Sequence, residues 1–204
     1  MLRRILGAGV ALTLLIGLPA AVADESPDEV STVVPTCGGF LLADPAGDAT
    51  SVESLDSGSN VPSLDVVSIT ASTNSHFGLF DIVVSVADLG VTAVAPGELI
   101  DVTFVDQNGA THSLSAFRGA ITGAGPLVIN PTFKADGKSV TGSYDAAADT
   151  ITVSVPRSEF SGGLSGEVTF SEWSFASRRT VAGAFSATAD DGSNNCASTF
   201  NLGI

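Results

Sequence analysis

The chain has 204 residues, with 22 acidic side chains against eight basic ones, two histidines, two cysteines and one tryptophan. A net charge of −14 argues against nucleic acid and anionic lipid as partners, because both need Lys and Arg to neutralise phosphate. The charge is compatible with divalent cations and with neutral ligands such as glycans, and its plainest meaning is solubility outside the cell.

Residues 1–23 carry Arg3 and Arg4, an apolar run from Ile5 to Leu18, and Ala21-Val22-Ala23. A positive start, a short apolar core and an A-x-A site make a secretory signal peptide. The run is shorter than the ~20 residues that a membrane span requires. Val34-Pro35-Thr36 before Cys37 does not match a lipoprotein site. The expectation is a secreted, extracellular protein with no membrane span after cleavage before Asp24. Two basic and no acidic residues leave with the signal, so six face 22 and the mature charge is −16. Residues 24–36 read as a flexible acidic leader. Residues 37–204 then form one domain, a size that all-β domains reach without splitting.

From there the pattern has period two, with no helical periodicity. Leu64–Ala71 is apolar on both faces in places, as in a central strand. Leu79–Leu89 sets Phe80, Ile82, Val84 and Val86 on one face, the signature of a half-buried strand. Leu99–Asp106 does the same with Ile100, Val102 and Phe104, and Ile151–Val155 with Ile151, Val153 and Val155. In Val168–Phe175, Val168 and Phe170 share one phase while Trp173 and Phe175 share the other, which indicates a β-bulge near Ser171-Glu172. Asn108-Gly109 and Asp136-Gly137 are type I′ hairpin dipeptides, and Tyr144–Thr150 reads as a longer hairpin loop. Such spacing indicates an all-β antiparallel sandwich or barrel.

Cys37 and Cys196 nearly bracket this region, and an exported pair is expected to oxidise. A bridge closing about 160 residues contributes about 5 kcal/mol in the chain-entropy model. Two distant cysteines and two distant histidines offer no zinc spacing.

Ala43-Asp44-Pro45-Ala46-Gly47-Asp48-Ala49, then Leu64-Asp65-Val66-Val67-Ser68-Ile69, then Asp81–Val86 resemble the opening of exported bacterial domains of the carbohydrate-binding family 9-like type. Val153-Ser154-Val155-Pro156-Arg157-Ser158 and Ala189-Asp190-Asp191-Gly192 extend the likeness over about residues 40–195. The resemblance implies a jelly-roll-like β-sandwich, often with structural calcium and sometimes with a sugar-binding face. This chain departs from glycan-binding members in having a single Trp and a single Tyr.

Catalytic chemistry is sparse. His76 and His112 lack a nucleophile motif and read as surface residues. With 22 acids, carboxylate pairs arise by chance, and no phosphate loop or zinc motif is present. A non-enzymatic chain is expected. Calcium is the ligand the residues favour, since it takes six to eight hard oxygens. Asp44 and Asp48 lie in a Pro/Gly turn and Asp65 opens the next strand. Asp190 and Asp191, close to Cys196, would be drawn to that turn by a Cys37–Cys196 bridge. The alternative is that Asp44 and Asp48 only cap their own turn. Trp173 reads as core and Tyr144 as a hairpin residue. The function expected is an exported binding or accessory domain whose partner is an extracellular glycan or another envelope protein. The alternative is a structural or interaction protein of the envelope with no small ligand.

Overall fold

The computed structural model describes residues 30–31, 41–49, 61–74, 77–90, 97–121, 128–129, 131–160, 162–181 and 184–203. The expected export signal and most of the expected leader lie outside them, as do Cys37 and His76. In chain order the strands are β1 Val30–Ser31, β2 Leu42–Ala43, β3 Val66–Asn74, β4 Leu79–Val86, β5 Gly97–Asp106, β6 Thr111–Ile121, β7 Val128–Ile129, β8 Thr132–Ala135, β9 Lys138–Asp145 and β10 Thr150–Pro156. A 3-10 turn at Arg157–Glu159 follows, then β11 Glu167–Val181, β12 Ala184–Asn194 and β13 Ser198–Asn201. Every pairing is antiparallel. No α-helix occurs among the described residues, and none of their helices is long and apolar enough to cross a membrane.

The ladder is continuous, in the order β1-β3-β4-β10-β9-β8-β6-β5-β11-β12, with β2 on β3, β7 on β6 and β13 on β11. The strands therefore form one curled sheet, with β8 and β9 carrying the backbone bonds from one half to the other. Two residues of the expected leader, Val30 and Ser31, belong to this sheet, pairing with Asn74 and Thr73 of β3.

Alternation along each strand decides what faces inward. In β4, Phe80, Ile82, Val84 and Val86 are buried while their neighbours are half-buried, and β5 and β10 repeat the pattern. In β11 a register shift between Ser171 and Ser174, with Glu172 at φ 53°, inserts the phase change seen in the sequence. It turns Val168, Phe170, Trp173 and Phe175 all inward. The halves meet through aromatic rings. Phe80 of β4 lies 5.0 Å from Phe200, 5.2 Å from Phe170 and 6.2 Å from Phe104. Trp173 stacks on Phe104 at 4.6 Å. Rings at these separations favour such tilted and edge contacts beyond the area they bury.

Asp136 (φ 48°) and Gly137 (φ 80°) both take positive φ between β8 and β9, as a type I′ turn demands. The expected type I′ turn at Asn108-Gly109 is corrected: only Gly109 takes positive φ (80°), and its N–H donates to the Asp106 carbonyl at 2.9 Å, so a type I turn followed by a left-handed glycine joins β5 to β6.

Candidate metal centre

A curled sheet leaves two edges, here β3 with β2 at one end and β12 at the other. Among the described residues they meet without a backbone ladder and are joined by side chains. Asp190 Oδ2 accepts the Val66 N–H at 2.8 Å, and Ser177 Oγ donates to the Leu64 carbonyl at 2.6 Å. Asp190 reaches the seam because β12 is bulged. Ser177 faces Asp190 and Arg178 faces Thr188, so Ala189 is an extra residue and both Ala189 and Asp190 turn inward.

On the opposite edge, the Asp44–Asp48 turn is held by Asp65. Its Oδ2 accepts the Gly47 N–H at 2.7 Å, and Gly47 takes φ 98°, which suits glycine. Asp44, Asp48 and Asp190 each place one carboxylate oxygen within 4.8 Å of the others. Asp65 is fully buried and falls outside this tightest group, yet its charge acts on both Asp44 and Asp190. Asp191 projects to solvent on the other face of β12, acting on Asp44 only through its charge. Of the five aspartates read from the sequence, three converge, the fourth backs them, and the fifth stands off.

Two oxygens at this seam have no hydrogen-bond partner although buried, Asp44 Oδ2 and Asp65 Oδ1. An orphaned buried carboxylate oxygen is costly unless a cation or proton meets it. Burial pushes the Asp190 carboxyl up to about 6, opposed by the Val66 N–H and reinforced by Asp44, Asp48 and Asp65. Burial and then Asp48, Asp65 and Asp191 also raise Asp44. Ca²⁺–oxygen distances are about 2.3–2.6 Å, so two ligands of one ion lie no more than about 5 Å apart, and carboxylate oxygens within 4.8 Å of one another could share one. Gly192 adds a close fit. A Cβ there would lie 2.6 Å from the Phe175 ring and 3.3 Å from Asp44 Oδ1.

Comparison with known proteins finds no matching family model, curated protein or solved structure. What the cluster can do is therefore read from its own geometry.

Other expectations are corrected or placed by the structure. His112 is not on the surface. It is fully buried, because Thr111-His112-Ser113-Leu114 puts it in phase with Leu114 and Ala116. Its Nδ1 lies 2.9 Å from Asp136 Oδ2 and its Nε2 3.5 Å from Asp106 Oδ2. Burial acts upward on the Asp106 carboxyl, but N–H donors from Ala110 and Asn108, with His112, outweigh it and hold it below its ordinary value. Trp173 is core, with no exposed surface. Tyr144 is half-buried against Phe133 with the Arg118 guanidinium 5.5 Å from its ring. Cys196 is buried and is not a free thiol.

Proposed function

We propose that this chain is an exported, non-enzymatic binding or accessory domain whose sheet edges are clasped by a structural Ca²⁺ ion. Asp44, Asp48 and Asp190 would supply its carboxylate ligands and Asp65 would back them. The observation that carries the reading is the pair of orphaned buried oxygens, on Asp44 and Asp65, where the two edges meet. In this proposal the halves of the sheet act as the layers of a jelly-roll-like sandwich of the family 9-like type. A Cys37–Cys196 bridge adds a second clasp across the chain.

The non-enzymatic part is supported by His112, whose two ring nitrogens face Asp106 and Asp136 inside the aromatic core. An aromatic sugar platform gains no support, because Trp173 is core and Tyr144 lies beneath Arg118. That observation favours the second reading, a structural or interaction protein of the envelope, over a lectin that stacks sugars on rings.

The test is the melting temperature of residues 24–204 in EDTA and in millimolar Ca²⁺. A cation that binds only the folded state stabilises by about 2.7 kcal/mol at a hundredfold excess over Kd. The rise should vanish in Asp44→Ala and in Asp48→Ala. Identical melts with and without Ca²⁺ would reduce these residues to turn formers.

A further inference from the structure

On the outward face of β8, β6, β5 and β11 lie two adjoining depressions of about 340 and 360 Å³, which share Asp101 and Ser115. Four strands at a spacing of ~4.8 Å make a trough about 14 Å across. Its floor is rich in hydroxyls. Ser115 Oγ donates to Asp101 Oδ1 at 2.7 Å, and Thr103 Oγ1 shares a hydrogen bond with Ser174 Oγ at 2.6 Å. Phe117 and Leu99 form an apolar wall.

Charge singles this trough out. Six of the eight basic residues follow residue 23. Arg118 is buried against Glu98, and Lys138 pairs with Glu159. Lys134 and Arg178, by contrast, both line the trough, with Asp101 the only acid among its lining residues. Arg178 Nη1 is 3.8 Å from Asp101 Oδ2, a loose contact, and none of the described ion pairs uses Lys134. A net positive trough on so acidic a surface selects an anionic group. β5 and β6 are each paired on both sides, so their main-chain groups are spent within the sheet. A peptide strand therefore has no free backbone edge to join here. Side-chain hydroxyls that both donate and accept match a polyhydroxylated chain instead.

We propose that this trough binds an acidic oligosaccharide, with a sugar carboxylate at Lys134 and Arg178 and sugar hydroxyls on Ser115, Asp101 and Thr103. The inference rests on the reading of the chain as a binding domain, but not on the cation site. Trigalacturonate is titrated calorimetrically into residues 24–204 in calcium-free buffer, beside its neutral methyl ester and a hexaglutamate peptide. Trigalacturonate is expected to bind, Lys134→Ala should weaken binding about tenfold, the loss of one charge-assisted contact, and the methyl ester, which loses the contacts to both Lys134 and Arg178, should weaken it further. The Lys134→Ala melt should match that of the parent, which separates lost contact from lost fold. No binding of trigalacturonate, unchanged binding by Lys134→Ala, or equal binding of hexaglutamate would overturn the proposal. Because the titration contains no Ca²⁺, its failure leaves the calcium-dependent melt standing, and failure of that melt leaves this isotherm standing.

Discussion

Lowering the pH should loosen the proposed calcium clasp, and the size of the effect follows from Asp190. Its carboxyl is pushed up to about 6 by burial and by its acidic neighbours, so near that pH a proton competes with the cation. Competition weakens binding by 1 + 10^(6−pH), about 11-fold at pH 5 and about 1.1-fold at pH 7, a difference near tenfold or about 1.4 kcal/mol. Without a cation the dependence has the opposite sign. The folded value stands above the ordinary 3.8, so the fold holds this proton more tightly than the unfolded chain does. The stabilisation from that proton is complete below about pH 4 and is lost as pH rises through 6. Asp44, raised for the same reasons, acts in the same sense. The assay is the melting temperature in saturating Ca²⁺ minus that in EDTA, measured from pH 4 to 7. The subtraction removes groups outside the seam, such as Asp106. The difference should widen steadily with pH, and a difference that stayed flat or narrowed would refute the coupling of Asp190 to the ion.

Four further outcomes are expected. Phe80→Ala empties the point where the halves meet and should cost about 3–5 kcal/mol in urea unfolding. Gly142→Ala would set a Cβ 2.5 Å from the Phe133 ring and 2.6 Å from the Thr152 carbonyl, which is backbone and cannot swing aside, for a loss of about 1–3 kcal/mol by the same assay. Glu98→Ala strands the buried Arg118 guanidinium, which holds Glu98 at 2.6 Å and the Leu89 carbonyl at 2.9 Å, and should cost about 3–5 kcal/mol. The double change Glu98→Leu with Arg118→Met should recover most of that stability. Intact-mass measurement with alkylation should find no free thiol before reduction and two after it, and two free thiols beforehand would remove the Cys37–Cys196 clasp.

The local features of this fold were legible because they depend on short-range rules. The period of two in Phe80-Ile82-Val84-Val86, the Asp136-Gly137 turn and the phase break before Trp173 all act within a few residues, and all are where the sequence indicated. Strand order is a long-range property. Nothing in the sequence announces that β8 and β9 join the two halves into one curled sheet. The acidic cluster was half legible. Asp44, Asp48 and Asp190 are separated by up to 146 positions, and their meeting depends on how two sheet edges close. What separates Asp190 from Asp191 is the extra residue Ala189, invisible until β11 and β12 are in register. His112 follows the Asn108-Gly109 turn, where a histidine is commonly exposed, and on that ground reads as a surface residue. Its phase with Leu114 and Ala116 was the signal that it points inward.

The central claim is that one calcium ion joins the two edges of the sheet through Asp44, Asp48 and Asp190. Calorimetric titration of Ca²⁺ into residues 24–204 at pH 7 tests it most directly. The account predicts one saturable site per chain at or below about 1 mM, lost in both Asp48→Ala and Asp190→Asn, which change opposite edges of the seam. No saturable binding in that range, or a site that survives both changes, would contradict it.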